Sequence, residues 1–417
     1  MRVVYVDTGM VGEVGHHATS CRLITRALRD RGHDVTVAAW AGLEEPLRVE
    51  FAASTVFRHN TYWGSDGDPL CGWLAAYFVT SHATTQDFAA LGPFAPADLL
   101  YVNSVLPAQL HAVYHFLAAL PDGARPQTVV ELGTDPGVEL VAGGGGVSLA
   151  ARDPRIDARA TLYRFTARQM SARRLSELHL ITFDRTSSEV YSMLLGMPVG
   201  TLPLPHVAGG VPRRRGGDSP RTVAFLGHQR GEKGYHFVPA IASQLLATRD
   251  DVRLLVHNAQ PDGMSEVQQA MRALAAADGR IELDERPAGP ESWYSLLERS
   301  DIIVCPYLVD RFRAAYSALA SEAIASAIPL VAPEHTTLAR LVQDFAAGGA
   351  CFARQEPEAV VAAIGRVLAD FDTQAERAAA AAVRWAETMG ADRMVEAMLA
   401  RVAAAAMEQR APFRLAA

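Results

Sequence analysis

Short apolar runs alternate with longer helical stretches along this chain, in two series separated by a break, and that rhythm leaves little besides two α/β domains for it to fold into. The first series opens with VVYV inside residues 2–7, passes through a Gly-rich loop and a helical stretch at 18–31, and resumes with VTVAA after Gly32 and His33. Strands that are apolar at nearly every position are buried on both faces, as in a parallel sheet covered by helices, and a glycine just past a helix provides its stop. Further runs at 98–103, 127–132 and 178–183 alternate with helical stretches at 107–120 and 158–175. The rhythm fails around VPRRRGGDSPR, which marks a linker at 205–220. It restarts with strands at 222–227, 252–257, 280–283 and 301–306 and helices at 235–247, 265–276, 292–297 and 317–326. The expected fold is α/β, two doubly wound Rossmann-like domains facing a cleft, at 1–204 and 221–380. Alanine-rich helices at 381–417 then close the fold, packing back towards the first domain.

Composition narrows the function classes. A chain of 417 residues exceeds what one core usually supports, and a net charge of −7 provides no basic field for nucleic acid. The four cysteines, Cys21, Cys71, Cys305 and Cys351, have no C-x-x-C pairing, which points to reduced thiols and a cytoplasmic protein. No uncharged apolar run approaches the ~18 residues of a membrane span, so membrane contact is expected to be peripheral at most.

One residue stands apart: of the 39 lysines and arginines, a single one, Lys233, is lysine. Where arginine has otherwise been used throughout, a surviving lysine suits a place where a compact, flexible ammonium must approach a phosphate. Lys233 lies in GHQRGEKG, directly after the strand at 222–227 and ahead of a helix expected from Tyr235. Backbone N–H groups at such a junction point at an anion, and Arg230 and Lys233 add charge suited to stabilising a leaving diphosphate. Gly227 and His228 line the same turn, and Glu322, on a helix at a strand-helix-strand crossover, is placed to accept from the hydroxyls of a ribose. Ser317 and Thr336 complete this group as polar residues beside the loops that follow.

The first domain offers GMVGEVGHH between strand and helix. There Gly12 and Gly15 permit close approach to a ligand, and His16 and His17 either hydrogen-bond a phosphate or sugar hydroxyl or are polar cap residues; on the first reading His16 joins Lys233 and Arg230 as a catalytic candidate. It is not a G-x-G-x-x-G fingerprint, so hydride chemistry is disfavoured. His111 and His115, four apart, have the spacing of metal ligands without a third partner and read as packing histidines; no metal site is expected. Asp66, Gly67 and Asp68 read as a turn, and the glycines at 143–146 as a mobile acceptor-side loop.

FLGHQRGEKG, PYLVDRFRAAYSALASEAIASAIPLVAP, the later GGACF and PEAVVAAIGRVL, and the amino-terminal GMVGEVGHH through RGHDVTV together resemble the retaining family 4 glycosyltransferases of the GT-B fold, over nearly the whole chain. The resemblance implies Lys233 on the donor diphosphate, Glu322 on the ribose and the first Gly-rich loop near the phosphates. The chain departs from the pattern twice. The first glutamate of the family's Glu-x7-Glu pair falls on Ala314, and the arginine that usually follows the strand glycine is His228. The expected activity is metal-independent, cofactor-free transfer, with retention, from a nucleotide-diphosphate sugar to a glycan, lipid-linked or small-molecule acceptor. A catalytically weak or inactive nucleotide-sugar binder, suggested by Ala314, and a nucleotide-sugar epimerase are the alternatives.

Overall fold

The computed structural model describes residues 1–13, 16–63, 71–143, 146–205, 220–259 and 261–410, and the chain divides into two compact units, Met1–Pro205 with Ala391–Ala417, and His206–Gly390. In the first unit the apolar runs form β1 (Arg2–Asp7), β2 (Asp34–Trp40), β3 (Ser54–Phe57), β4 (Leu99–Val102) and β5 (Gln127–Glu131). A separate hairpin of β6 (Val138–Gly143) and β7 (Gly146–Ala151) follows, then β8 (Leu178–Thr182) and β9 (Gly200–Thr201). The main sheet has the order β3-β2-β1-β4-β5-β8-β9 with every neighbouring pair parallel. Apart from Arg2 at the start of β1, its central strands β1, β4 and β5 are buried throughout, which is why they read as continuous apolar runs rather than alternating ones. In the hairpin the strands pair antiparallel from Val138 opposite Ala151 to Gly143 opposite Gly146; the residues at 144 and 145, at the centre of the stretch expected as an acceptor-side loop, lie outside the described residues. Asp66, Gly67 and Asp68 lie outside the described residues.

The second unit repeats the plan with β10 (Arg221–Phe225), β11 (Val252–His257), β12 (Ile281–Asp284), β13 (Ile302–Val304), β14 (Leu330–Pro333) and β15 (Gly349–Phe352), ordered β12-β11-β10-β13-β14-β15 and parallel throughout. Val223, Phe225, Leu254, Val256, Ile302 and Val304 bury one face of this sheet against the helices Val238–Thr248 and Pro357–Ala369. Helix Phe371–Thr388 stays with this unit, while helix Ala391–Arg410 packs on helix His17–Asp30 of the first, where Arg31 Nη1 meets Asp392 Oδ1 at 2.5 Å. Each sheet therefore reverses its strand order once, between β1 and β4 and between β10 and β13. Loops leaving the carboxyl ends of such strand pairs diverge and open a crevice for ligands.

Candidate functional site

The loop after β10 is built by its glycines. Gly227 has φ +102° and Gly234 φ +69°, values that favour glycine, and a methyl group on Gly234 would lie 1.9 Å from the backbone oxygen of Pro306, in the loop after β13. The two loops are also joined by Leu308 N–H donating to the Glu232 carbonyl at 2.9 Å. Between the glycines, residues Gly231–Lys233 and Tyr235–Phe237 make 3-10 turns, and the α-helix starts only at Val238, with Pro239 in its first turn. This corrects the expected start at Tyr235: the left-handed Gly234 interrupts the spiral, and a proline is tolerated where helical N–H groups need no partner.

Gly234→Ala is therefore expected to cost about 2 kcal/mol of unit stability, since the clash is with backbone and the left-handed conformation penalises any Cβ. A urea-unfolding midpoint within a few tenths of a molar of wild type would show that the two loops separate freely.

Behind the loop, polar side chains hold its shape. Gly227 N–H donates to His257 Nδ1 at 3.3 Å, so His257 carries its proton on Nε2 and donates it to the Arg286 carbonyl at 2.9 Å. Gln229 N–H donates to Asn258 Oδ1 at 3.2 Å; the Asn258 amide and the Tyr235 hydroxyl each donate to Gln268 Oε1 at 2.7 Å. Buried amides paired this completely rigidify what they support.

Lys233 is the chemical centre of this loop. A methyl group on Gly227 would lie 3.5 Å from its Nζ, which sits 5.6 Å from the centre of the Tyr307 ring. Among the described residues no carboxylate comes within ion-pair distance of it. Burial, followed by the repulsion of Arg230, brings its pKa down to about 8. Glu322 faces the same space from helix Ala318–Ala325. Burial raises its pKa to about 7, while a hydrogen bond from Trp293 Nε1 at 3.0 Å and the charge of Lys233 pull the other way. His228 is half-buried, and desolvation, with Lys233 next, lowers its pKa to about 4, so it stands neutral. Arg230 is exposed and paired with Glu232 at 2.8 Å. The loops thus bring Lys233, Gly227, His228 and Glu322 together, with Arg230 at the rim.

Ser317 and Thr336 both act as helix caps. Ser317 Oγ caps its helix by accepting from Ala320 N–H at 3.3 Å; Thr336 Oγ1 accepts from Ala339 N–H at 3.2 Å and donates to the Pro333 carbonyl at 2.7 Å. Both shape the loops flanking the site. Ala314 is buried, and Arg313 beside it pairs with Asp310 at 3.6 Å.

In the first unit Gly12 packs under the Glu44 carboxylate, 2.6 Å from where its Cβ would stand, while Gly15 lies outside the described residues. His16 occupies the N-cap of helix His17–Asp30 without a side-chain cap bond and stacks on His17 with ring centres 4.5 Å apart. His17 reaches the end of β1. Its Nδ1 lies 2.9 and 3.0 Å from the two oxygens of Asp7, and its Nε2 3.1 Å from the Tyr62 hydroxyl. Asp7, fully buried at the end of β1, also accepts from Gly9 N–H and Asn103 Nδ2, each at 2.9 Å. Nearby Glu131 accepts from Ser104 N–H at 2.6 Å. Sequence reasoning missed Asp7, Asn103 and Glu131; the one available signal was that a carboxylate or amide ended each of three apolar strands.

Residues 220–370 match the family model described as glycosyl transferases group 1. Among solved structures, the chain is similar to sucrose-phosphate synthase from Thermosynechococcus elongatus, with 14% identity and a TM-score of 0.67 over 97% of this chain and 100% of that one. Anabaena Alr3699/HepE in complex with UDP shows 13% identity and a TM-score of 0.65, again over 97% and 100%. The trehalose-6-phosphate synthase OtsA shows 10% and 0.66 over 96% and 99%. The fold is GT-B. A search of curated proteins finds no match to the sequence. Both α/β units, read from the sequence as doubly wound, thus find their counterpart in GT-B glycosyltransferases, and the Lys233 loop opens the stretch matched by the family model. No described helix is long and apolar enough to cross a membrane.

Proposed function

We propose that this protein is a glycosyltransferase that moves a sugar, with retention, from a nucleoside diphosphate sugar to a hydroxyl-bearing acceptor. The observation that carries the reading is Lys233: an ammonium group desolvated beside a strand-terminal glycine, with no carboxylate partner among the described residues, within electrostatic reach of Glu322. An isolated buried cation is costly to hold, and a diphosphate is the anion that would offset that cost. In the reaction the sugar's C1–O bond to the β-phosphate breaks, the acceptor oxygen bonds to C1, and the acceptor's proton passes to the departing phosphate. The ammonium of Lys233 stabilises the negative charge that grows on the diphosphate, without a metal ion. Glu322, within electrostatic reach of Lys233, accepts from the ribose. The UDP and UDP-glucose named in the Anabaena complexes support this donor class.

The test is a mass-spectrometric assay of UDP-, ADP- and GDP-sugars with a panel of monosaccharide and sugar-phosphate acceptors, the anomeric configuration of the product being read by proton NMR. Release of nucleoside diphosphate with an acceptor-linked product is expected. Donor isomerised without acceptor would make the protein an epimerase. Nucleotide binding without turnover would make it the noncatalytic binder that Ala314 suggests.

A further inference from the structure

Trp293, on helix Pro290–Glu298, is absent from every motif that led to the site, yet it touches three of its parts. Its indole N–H donates to Glu322 Oε2 at 3.0 Å, its ring edge lies 4.0 Å from where a Cβ on Gly227 would stand, and it meets His257 at 6.0 Å with the planes at 63°. His257 is itself the acceptor that fixes Gly227 N–H. One half-buried aromatic side chain therefore links the ribose-directed carboxylate to the diphosphate loop.

A carboxylate on a helix rotates about its terminal bonds unless something holds it. With Oε2 occupied by the indole, the group is held and Oε1 is the oxygen left to accept from a ligand. We propose that Trp293 is a positioning residue of the nucleotide site, orienting Glu322 so that the protein distinguishes ribose from deoxyribose on a nucleoside diphosphate. The inference rests on the donor-site reading above. A hydrogen bond to a carboxylate also favours its ionised form. Among the described residues, the groups that act on Glu322 are Trp293, from helix Pro290–Glu298, and Lys233, from the loop after β10; both hold it charged against burial.

The experiment is calorimetric titration of UDP and of 2′-deoxy-UDP into wild type, Trp293→Phe, Glu322→Gln and the double variant, at pH 6, 7 and 8. Wild type is expected to prefer UDP about tenfold, the scale of a hydrogen bond to a charged acceptor. Trp293→Phe keeps an aromatic ring in place, so it is expected to bind UDP more weakly, lose most of that preference and move the acid limb of UDP binding to higher pH. Glu322→Gln is expected to lose the preference whether or not Trp293 is present, so the two substitutions are non-additive. Undiminished discrimination in Trp293→Phe, or strict additivity in the double variant, overturns the proposal while leaving the donor site intact. Failure of wild type to bind UDP, ADP or GDP overturns the donor-site reading and this inference with it.

Discussion

Replacing Lys233 by alanine is expected to slow sugar transfer roughly 30- to 1,000-fold, or ~2 to 4 kcal/mol of barrier, the range seen when one preorganised charge contact is removed from a transition state. The expectation follows from placement. The ammonium is already desolvated and the loop that carries it is fixed by Gly234 against Pro306 and by the His257 and Asn258 contacts, so little reorganisation accompanies the reaction. The effect should fall more on turnover than on donor binding, because negative charge on the diphosphate is greatest as the C1–O bond breaks. A pH test accompanies the substitution. With its pKa lowered to about 8, Lys233 is charged below pH 8 and loses its proton above it, so affinity for UDP should decline as pH rises from 7 to 9. That decline should vanish in Lys233→Ala, and in Lys233→Arg, whose guanidinium does not titrate there. Stopped-flow or steady-state rates within threefold of wild type for Lys233→Ala, at saturating donor, would remove Lys233 from the chemistry.

What could be read from the sequence were features written in local composition. Continuous apolar runs such as VVYV and DIIV announce strands buried on both faces, and the solitary Lys233 between two glycines announces a loop of special geometry. The helix start was misplaced by three residues because Gly234 looks the same in sequence whether it continues a helix or turns left-handed ahead of it; only the Pro306 carbonyl, 72 positions along the chain, decides between them. A hydroxyl at a helix start, as at Ser317 and Thr336, suits a cap and a ligand equally well, so the sequence alone does not separate the two. The hydrogen bonds to Ala320 and Ala339 identify the caps. Trp293 and the Asp7 cluster were invisible for a different reason. Their partners are brought in by sheet order, Asp7 and Asn103 through the pairing of β1 with β4, Trp293 and Glu322 through helices 29 residues apart.

Asp7→Ala is expected to destabilise the first unit by ~3 to 5 kcal/mol, because removing one partner of a buried ion pair strands the other. His17 would keep its buried imidazole without a counter-charge, and Gly9 N–H and the Asn103 amide would lose their acceptor. The pH dependence has a defined sign. Burial lowers the His17 pKa, but the charge and hydrogen bond of Asp7 outweigh it and the net shift is upward from 6.5. The pair's stabilisation is therefore complete below pH 6.5 and is lost as pH rises through the higher folded value. Glu131 acts in the same direction: burial raises its pKa from 4.5 to about 8, so folding holds a proton that the unfolded chain releases, and stability declines between those values. Thermal melts followed by circular dichroism should accordingly show wild type losing stability from pH 6 to 8.5. Glu131→Gln, which carries no titrating proton, should show a shallower slope. Asp7→Ala should melt lower throughout, and its deficit should narrow towards high pH, where the ion pair is already gone. A deficit below about 1 kcal/mol at pH 6, or one that widens with pH, would mean that the Asp7–His17 pair is not what holds the end of β1 to its helix.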